Sequence, residues 1–211
     1  MRTNGIGTHP RVVPCMTVDR NAVRSDLRQR RRAIPASERI AAADAVADRL
    51  LALAFAPSQG YAAGYWALDG EIALHAWQLR LPPAVIYCLP VLHEDKRLRF
   101  APWRPGDALV SNRYGIPEPD VAATSLLDAA AMQFVAAPVV GFDACGQRLG
   151  MGGGWYDRTF AFRHDRPAPP WLAGVAFSTQ RIDALTPQAW DVRMDVICTG
   201  TDSFLAETQP A

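Results

Sequence analysis

A chain of 211 residues, 49% of them hydrophobic, is long enough to bury one substantial core and too short for two ordinary domains. Its formal charge of +1 leaves no electrostatic footprint for nucleic acid, and no apolar run reaches the ~20 residues of a membrane span. Cys15, Cys88, Cys145 and Cys198 lie far apart without a CxxC pair or nearby His ligand, which argues against zinc and fits a reducing compartment, so a cytoplasmic location is expected; the chain is separately expected to be a monomer. Of the 22 basic residues only Lys96 is a lysine, in the turn His93-Glu94-Asp95-Lys96, so cationic work falls to arginine.

Residues 1–19 carry Gly5, Gly7, Pro10 and Pro14 without periodicity and read as a loose extension. From Arg20 to Arg32 the pattern predicts a helix with Arg20 and Arg24 at i and i+4, where two guanidinium groups can reach one polyanion. The competing reading is a solvated basic face, the usual state of such runs, and it is kept for Arg28 to Arg32. Pro35, with Ser37 as candidate cap, opens a second helix whose Ile40, Ala43, Val46, Ala47, Leu50 and Leu51 form a packing stripe. Gly60 to Leu68 reads as the first core strand. A turn at Asp69-Gly70-Glu71-Ile72 then leads to a helix through Ala76 and Leu79. Val85 to Leu89 is a buried strand closed by Pro90, and Arg97 to Phe100 alternates like an edge strand. Tyr114-Gly115-Ile116-Pro117-Glu118-Pro119 is stiffened by two prolines.

Gln133 to Ala137 reads as a buried strand arriving at the densest motif of the chain. Gly146 to Gly154 holds five glycines in nine residues, where average usage of about 7% gives fewer than one. Such a loop frees backbone N–H groups for phosphate oxygens if it opens a helix, read here as Trp155 to Phe162. Arg148 supplies a two-pronged donor before the glycines. Asp157 follows them, and a carboxylate beside phosphate makes sense chiefly with a divalent cation between. A Walker loop fails because Trp155-Tyr156 stands where Lys-Ser/Thr is required. A dinucleotide fingerprint fails because 155 is neither glycine nor alanine. A merely structural turn needs one or two glycines and no flanking Arg and Asp. Pro167 to Pro170 is a stiff break; Leu172 to Phe177 and Val196 to Thr199 read as the last strands, and 207–211 as a tail.

The segment Gly146-x-Arg148-Leu149-Gly150-x-Gly152-x-Gly154-Trp155-Tyr156-Asp157 resembles the signature of the 5-formyltetrahydrofolate cyclo-ligase, or methenyltetrahydrofolate synthetase, family. Similarity extends from about Arg20 to Thr199, in four patches that keep the family's order, and marks 20–206 as one domain. It implies an α/β three-layer sandwich with a mostly parallel sheet, similar to the NagB/RpiA/CoA-transferase group. It implies ATP-dependent closure of 5-formyltetrahydrofolate to 5,10-methenyltetrahydrofolate, with Mg2+ as cofactor and no nucleic-acid or membrane partner. By resemblance ATP is held by Arg20, Arg24, Arg148, Leu149, Gly150, Met151, Gly152, Gly153, Gly154, Trp155 and Tyr156, and folate by Trp66, Glu71, Met151 and Trp155. Mg2+ falls to Asp157 and Asp191, and the catalytic positions to Arg148 and Trp155. Taken without the resemblance, Glu71 is a first-turn helix carboxylate and Asp191 an exposed acid. Trp155, Trp190 and Met151 replace a tyrosine, a histidine and a Tyr or Arg common in the family. Two other readings stand: a ligase acting on another formamide or carboxylate, and a catalytically silent folate or nucleotide sensor.

Overall fold

The computed structural model describes residues 19–206; the expected loose start, apart from Asp19, and the tail at 207–211 lie outside the described residues. In order these form α1 (Arg20–Arg32), α2 (Ala36–Ala52), β1 (Gly60–Ala63), α3 (His75–Arg80), β2 (Val85–Leu92), β3 (Leu98–Pro102), β4 (Leu109–Ser111), β5 (Pro117–Pro119), β6 (Met132–Pro138), β7 (Gly141–Phe142), β8 (Arg148–Leu149), α4 (Trp155–Phe160), β9 (Trp171–Val175), β10 (Val196–Cys198) and β11 (Ser203–Leu205). Asp19 belongs to the first helix rather than to the extension: its side chain accepts the Asn21 N–H at 2.9 Å, an N-cap bond. Pro35, not Ser37, sits at the N-cap of α2.

The main sheet has the order β11-β10-β9-β6-β1-β2-β3, with the five inner strands parallel and both edge strands antiparallel. Alternation sends Ala62, Phe134, Ala136, Ala173 and Val196 to one face, where Val46, Ala47 and Leu50 of α2 and Trp77 of α3 cover them. Ala63, Val135, Ala137, Leu172 and Ile197 face the other side, under Phe160 of α4 and Met194. Two apolar faces, each covered, make the expected three-layer sandwich.

Two strands differ from expectation. The first ends at Ala63: the Gly64 N–H reaches Cys88 O at 3.0 Å, the Tyr65 hydroxyl turns to Ile72 O at 2.7 Å, and the chain leaves the sheet. The second runs through Pro90 to Leu92. Cys88 O and Leu92 N, two residues either side, both point away from β3, so Pro90 turns its missing N–H to the side where β1 has already ended and no ladder bond is lost. β11 was not expected; a turn through Gly200 folds it back on β10.

The chain passes from β1 outward to β2, but from β6 in the opposite sense to β9 and β10. The loops leaving adjacent β1 and β6 therefore diverge and open a crevice at the carboxyl ends of the strands, the usual ligand position in such sheets. α1 crosses that end, with Leu27 packed on Val140 and Leu149.

Candidate functional site

The loop leaving β6 does not run straight into the glycines. It first makes the β7–β8 hairpin, whose turn is knit by buried Asp143: Oδ1 accepts the N–H groups of Cys145 at 2.9 Å and Gln147 at 3.0 Å, and Oδ2 that of Leu185 at 3.0 Å. The exposed stretch 151–153 follows, with φ of +97° at Gly152 and +63° at Gly154, values that side chains resist. α4 then runs for six residues only and passes at Ala161 into a 3-10 turn, short of the expected Phe162. So short a helix has a small macrodipole, and any pull on an anion here would rest on the loop's own N–H groups. A cavity of about 580 Å3 opens here, lined by the three glycines 152–154, Asp157, Arg158, His164 and Trp190 among others. Trp190 is 65% exposed.

α1 brings its arginines to this loop. Arg24 donates from Nε to Gly150 O at 2.9 Å and from Nη1 to Asn21 Oδ1 at 2.7 Å. Burial, and then the charge of Arg20, lower its pKa. Arg20 donates to Asp191 Oδ2 at 2.8 Å, an oxygen that also accepts the Gln188 N–H at 2.9 Å. Asp191, expected at a metal, is thus engaged by an arginine. Arg148, expected to reach phosphate directly, is only 7% exposed: it donates to Val192 O and, at 2.6 Å, to Asp157 Oδ1, which also takes the Val192 N–H at 3.1 Å. Both Asp157 contacts fall on Oδ1, and the carboxylate borders the cavity. No group of three or more metal-ligating side chains occurs among the described residues. Leu149 is buried, and its carbonyl accepts the Val140 N–H at 2.8 Å, so its side chain belongs to the core.

Met151 is 55% exposed at the loop. Trp155 has two cations at its ring, Arg113 at 5.4 Å and Arg158 at 5.5 Å from the centroid. Tyr156 stacks on Phe160 at 6.2 Å, and burial, then the neighbouring Glu71 charge, push its phenol upward.

Glu71 sits half-buried in the loop after β1. Its Oε2 accepts the Leu68 N–H at 3.0 Å, and its Oε1 lies 3.5 Å from Arg31 Nη1. Burial raises its pKa against the opposing Leu68 N–H and Arg31 charge. Trp66, half-buried, meets Trp103 edge-on at 5.9 Å. The basic run from Arg28 to Arg32 is not the uniformly solvated face expected of it. Arg28, Arg31 and Arg32 converge on Asp69, whose φ is +51°. Burial alone would raise the Asp69 pKa, but hydrogen bonds from Arg28 and Arg32, with the Arg28 and Arg31 charges, bring it down to about 2. The sequence held one sign of this: Arg31 stands four residues after Leu27, on the same stripe. Arg113 carried no such sign, since its position depends on how the β4–β5 hairpin leans over α4.

The family model described as the 5-formyltetrahydrofolate cyclo-ligase family matches residues 16–200. A 5-formyltetrahydrofolate cyclo-ligase of Haemophilus influenzae is 31% identical over 87% of this chain and 99% of its own, and one of Escherichia coli K12 is 32% identical over 82% and 96%. The solved 5,10-methenyltetrahydrofolate synthetase of Aquifex aeolicus superposes with a TM-score of 0.75 at 25% identity, covering 91% of this chain and 95% of that one. With the signature loop at the crevice and the match running through all the central strands, the chain belongs to the 5-formyltetrahydrofolate cyclo-ligase family.

Proposed function

We propose that the chain closes 5-formyltetrahydrofolate to 5,10-methenyltetrahydrofolate at the expense of ATP, as a cytoplasmic monomer. The observation that carries this reading is that α1 bonds both to the glycine loop, through Arg24, and to the Glu71 loop, through Arg31, while Arg148 pairs with Asp157 at the wall of the cavity beside the glycines. A formamide carbonyl is a poor electrophile because nitrogen donates into it, the delocalisation behind the ~18–20 kcal/mol amide rotation barrier. The formyl oxygen attacks the γ-phosphorus and ADP departs. N10 then adds to the activated carbon, the carbon–oxygen bond breaks to release phosphate, and N10 loses its proton. No covalent nucleophile from the protein is needed, so its task is alignment and charge stabilisation.

The loop N–H groups of 150–154 and the guanidinium groups of Arg20 and Arg24 hold the triphosphate. Arg148 acts through Asp157, fixing that carboxylate at the cavity wall. One carboxylate with phosphate oxygens is an ordinary set for Mg2+, so Asp157 fits the ion, whereas Asp191 serves to hold Arg20. The ion when bound supplies neutralisation of the transferring phosphoryl group. Glu71 accepts N–H donors of the pterin, with Trp66, Met151 and Trp155 as its surroundings. The test is incubation with Mg-ATP and 5-formyltetrahydrofolate while methenyl absorbance and ADP are followed. Stoichiometric appearance of both supports the reading. ATP hydrolysis without the folate signal favours another substrate, and tight binding without turnover favours a sensor.

A further inference from the structure

We infer that Arg31 is a positioning residue for the substrate carboxylate: from inside α1 it fixes the orientation of Glu71 and leaves Oε1 open to a folate donor. The inference rests on the reading of Glu71 as a substrate contact. Arg31 is 1% exposed, and two of its donors are committed, Nε to Asp69 O at 3.0 Å and Nη2 to Asp69 Oδ2 at 2.9 Å. These two bonds fix the guanidinium plane and leave Nη1 facing Glu71 Oε1 at 3.5 Å. Since Glu71 Oε2 is taken by the Leu68 N–H, Oε1 has one long contact and keeps its lone pairs for an incoming donor.

Among the described residues, the charged and titratable groups facing Glu71 are few. α1 contributes Arg31 and Arg28, its own loop Asp69, the segment after β1 Tyr65, and α4 Tyr156. Arg28 is engaged by Asp69 Oδ2 at 2.8 Å, and burial drives both phenols upward, so they stay neutral. Arg31 is therefore the main positive charge opposing the burial of Glu71. A protonated Glu71 would present an O–H where the substrate presents N–H, and affinity for the folate, not for ATP, would fall.

The experiment measures KM for 5-formyltetrahydrofolate and for ATP, with kcat, from pH 5.5 to 8 in the wild type, Arg31→Gln, Arg31→Lys, Glu71→Gln and the Arg31→Gln/Glu71→Gln double variant. In Arg31→Gln the folate KM is expected to exceed the wild-type value several-fold and to rise as pH falls towards 5.5, more steeply than in the wild type. KM for ATP should stay within about twofold, a bound set well below one tenfold step. Arg31→Lys keeps the charge and should restore the wild-type profile, and in the double variant the pH dependence should vanish. Should Arg31→Gln fail to fold, Arg31→Met supplies the same comparison. A folate KM flat with pH in the neutral variant, while Glu71→Gln still weakens folate, overturns the inference alone. An unaltered folate KM in Glu71→Gln overturns the substrate reading of Glu71 and the inference with it.

Discussion

Arg148 meets the cavity through Asp157, and that changes what its removal does. Arg148→Ala removes a buried guanidinium, strips the half-buried Asp157 carboxylate of its partner and leaves Val192 O without its donor. Turnover should be lost, and stability should fall by roughly 3 kcal/mol, several degrees of Tm. Activity assays beside thermal melts check both; an unchanged melt would place the guanidinium elsewhere. Asp69 makes a second, pH-dependent case. Its folded pKa of about 2 lies below the unfolded value, so its contribution is present above the ordinary carboxylate range and is lost as pH falls through about 2. Allowing for solvent screening, Asp69→Asn should cost about 1 kcal/mol at pH 7. The gap between urea melts of the two proteins should narrow below the ordinary carboxylate range and close below pH 2; a gap that stays constant as pH falls past 2 would mean that packing, not charge, is involved.

At the scale of elements, the glycine loop and α1 form one unit. Arg24 rests its guanidinium on the Gly150 carbonyl, and a Cβ on Gly152 would lie 3.7 Å from that guanidinium. Space is therefore adequate at Gly152, but its φ of +97° is not one an L side chain adopts readily. Gly152→Ala should leave the core intact and redirect the loop N–H groups, raising KM for ATP by about tenfold, the equivalent of 1.4 kcal/mol. Steady-state kinetics with ATP varied reads this directly. A KM change confined to folate would assign the loop to the other substrate.

Across the whole molecule, α1 ties distant loops together: Arg24 bonds the glycine loop and Arg20 bonds Asp191, while Arg28, Arg31 and Arg32 grip Asp69 beside Glu71. Leu27, 1% exposed, is its apolar anchor on Val140 and Leu149. Leu27→Ala should cost about 2–3 kcal/mol and, measured well below the melting temperature, raise KM for both substrates together. Normal values for both would show that α1 is held by its ion pairs alone. The amino-acid sequence by itself determined the first helix to the residue, the alternation of strands and helices, and the clustered glycines with Arg148 and Asp157, because periodicity and composition are local properties. It did not give the hairpin of β7 and β8, the passage of β2 through Pro90, or the pairing of Arg148 with Asp157 and of Arg20 with Asp191. Nor did it give the convergence of three arginines on Asp69. Those depend on which segments the sheet order brings side by side, and a guanidinium that looks solvated along a helix becomes buried only when a distant loop folds over it.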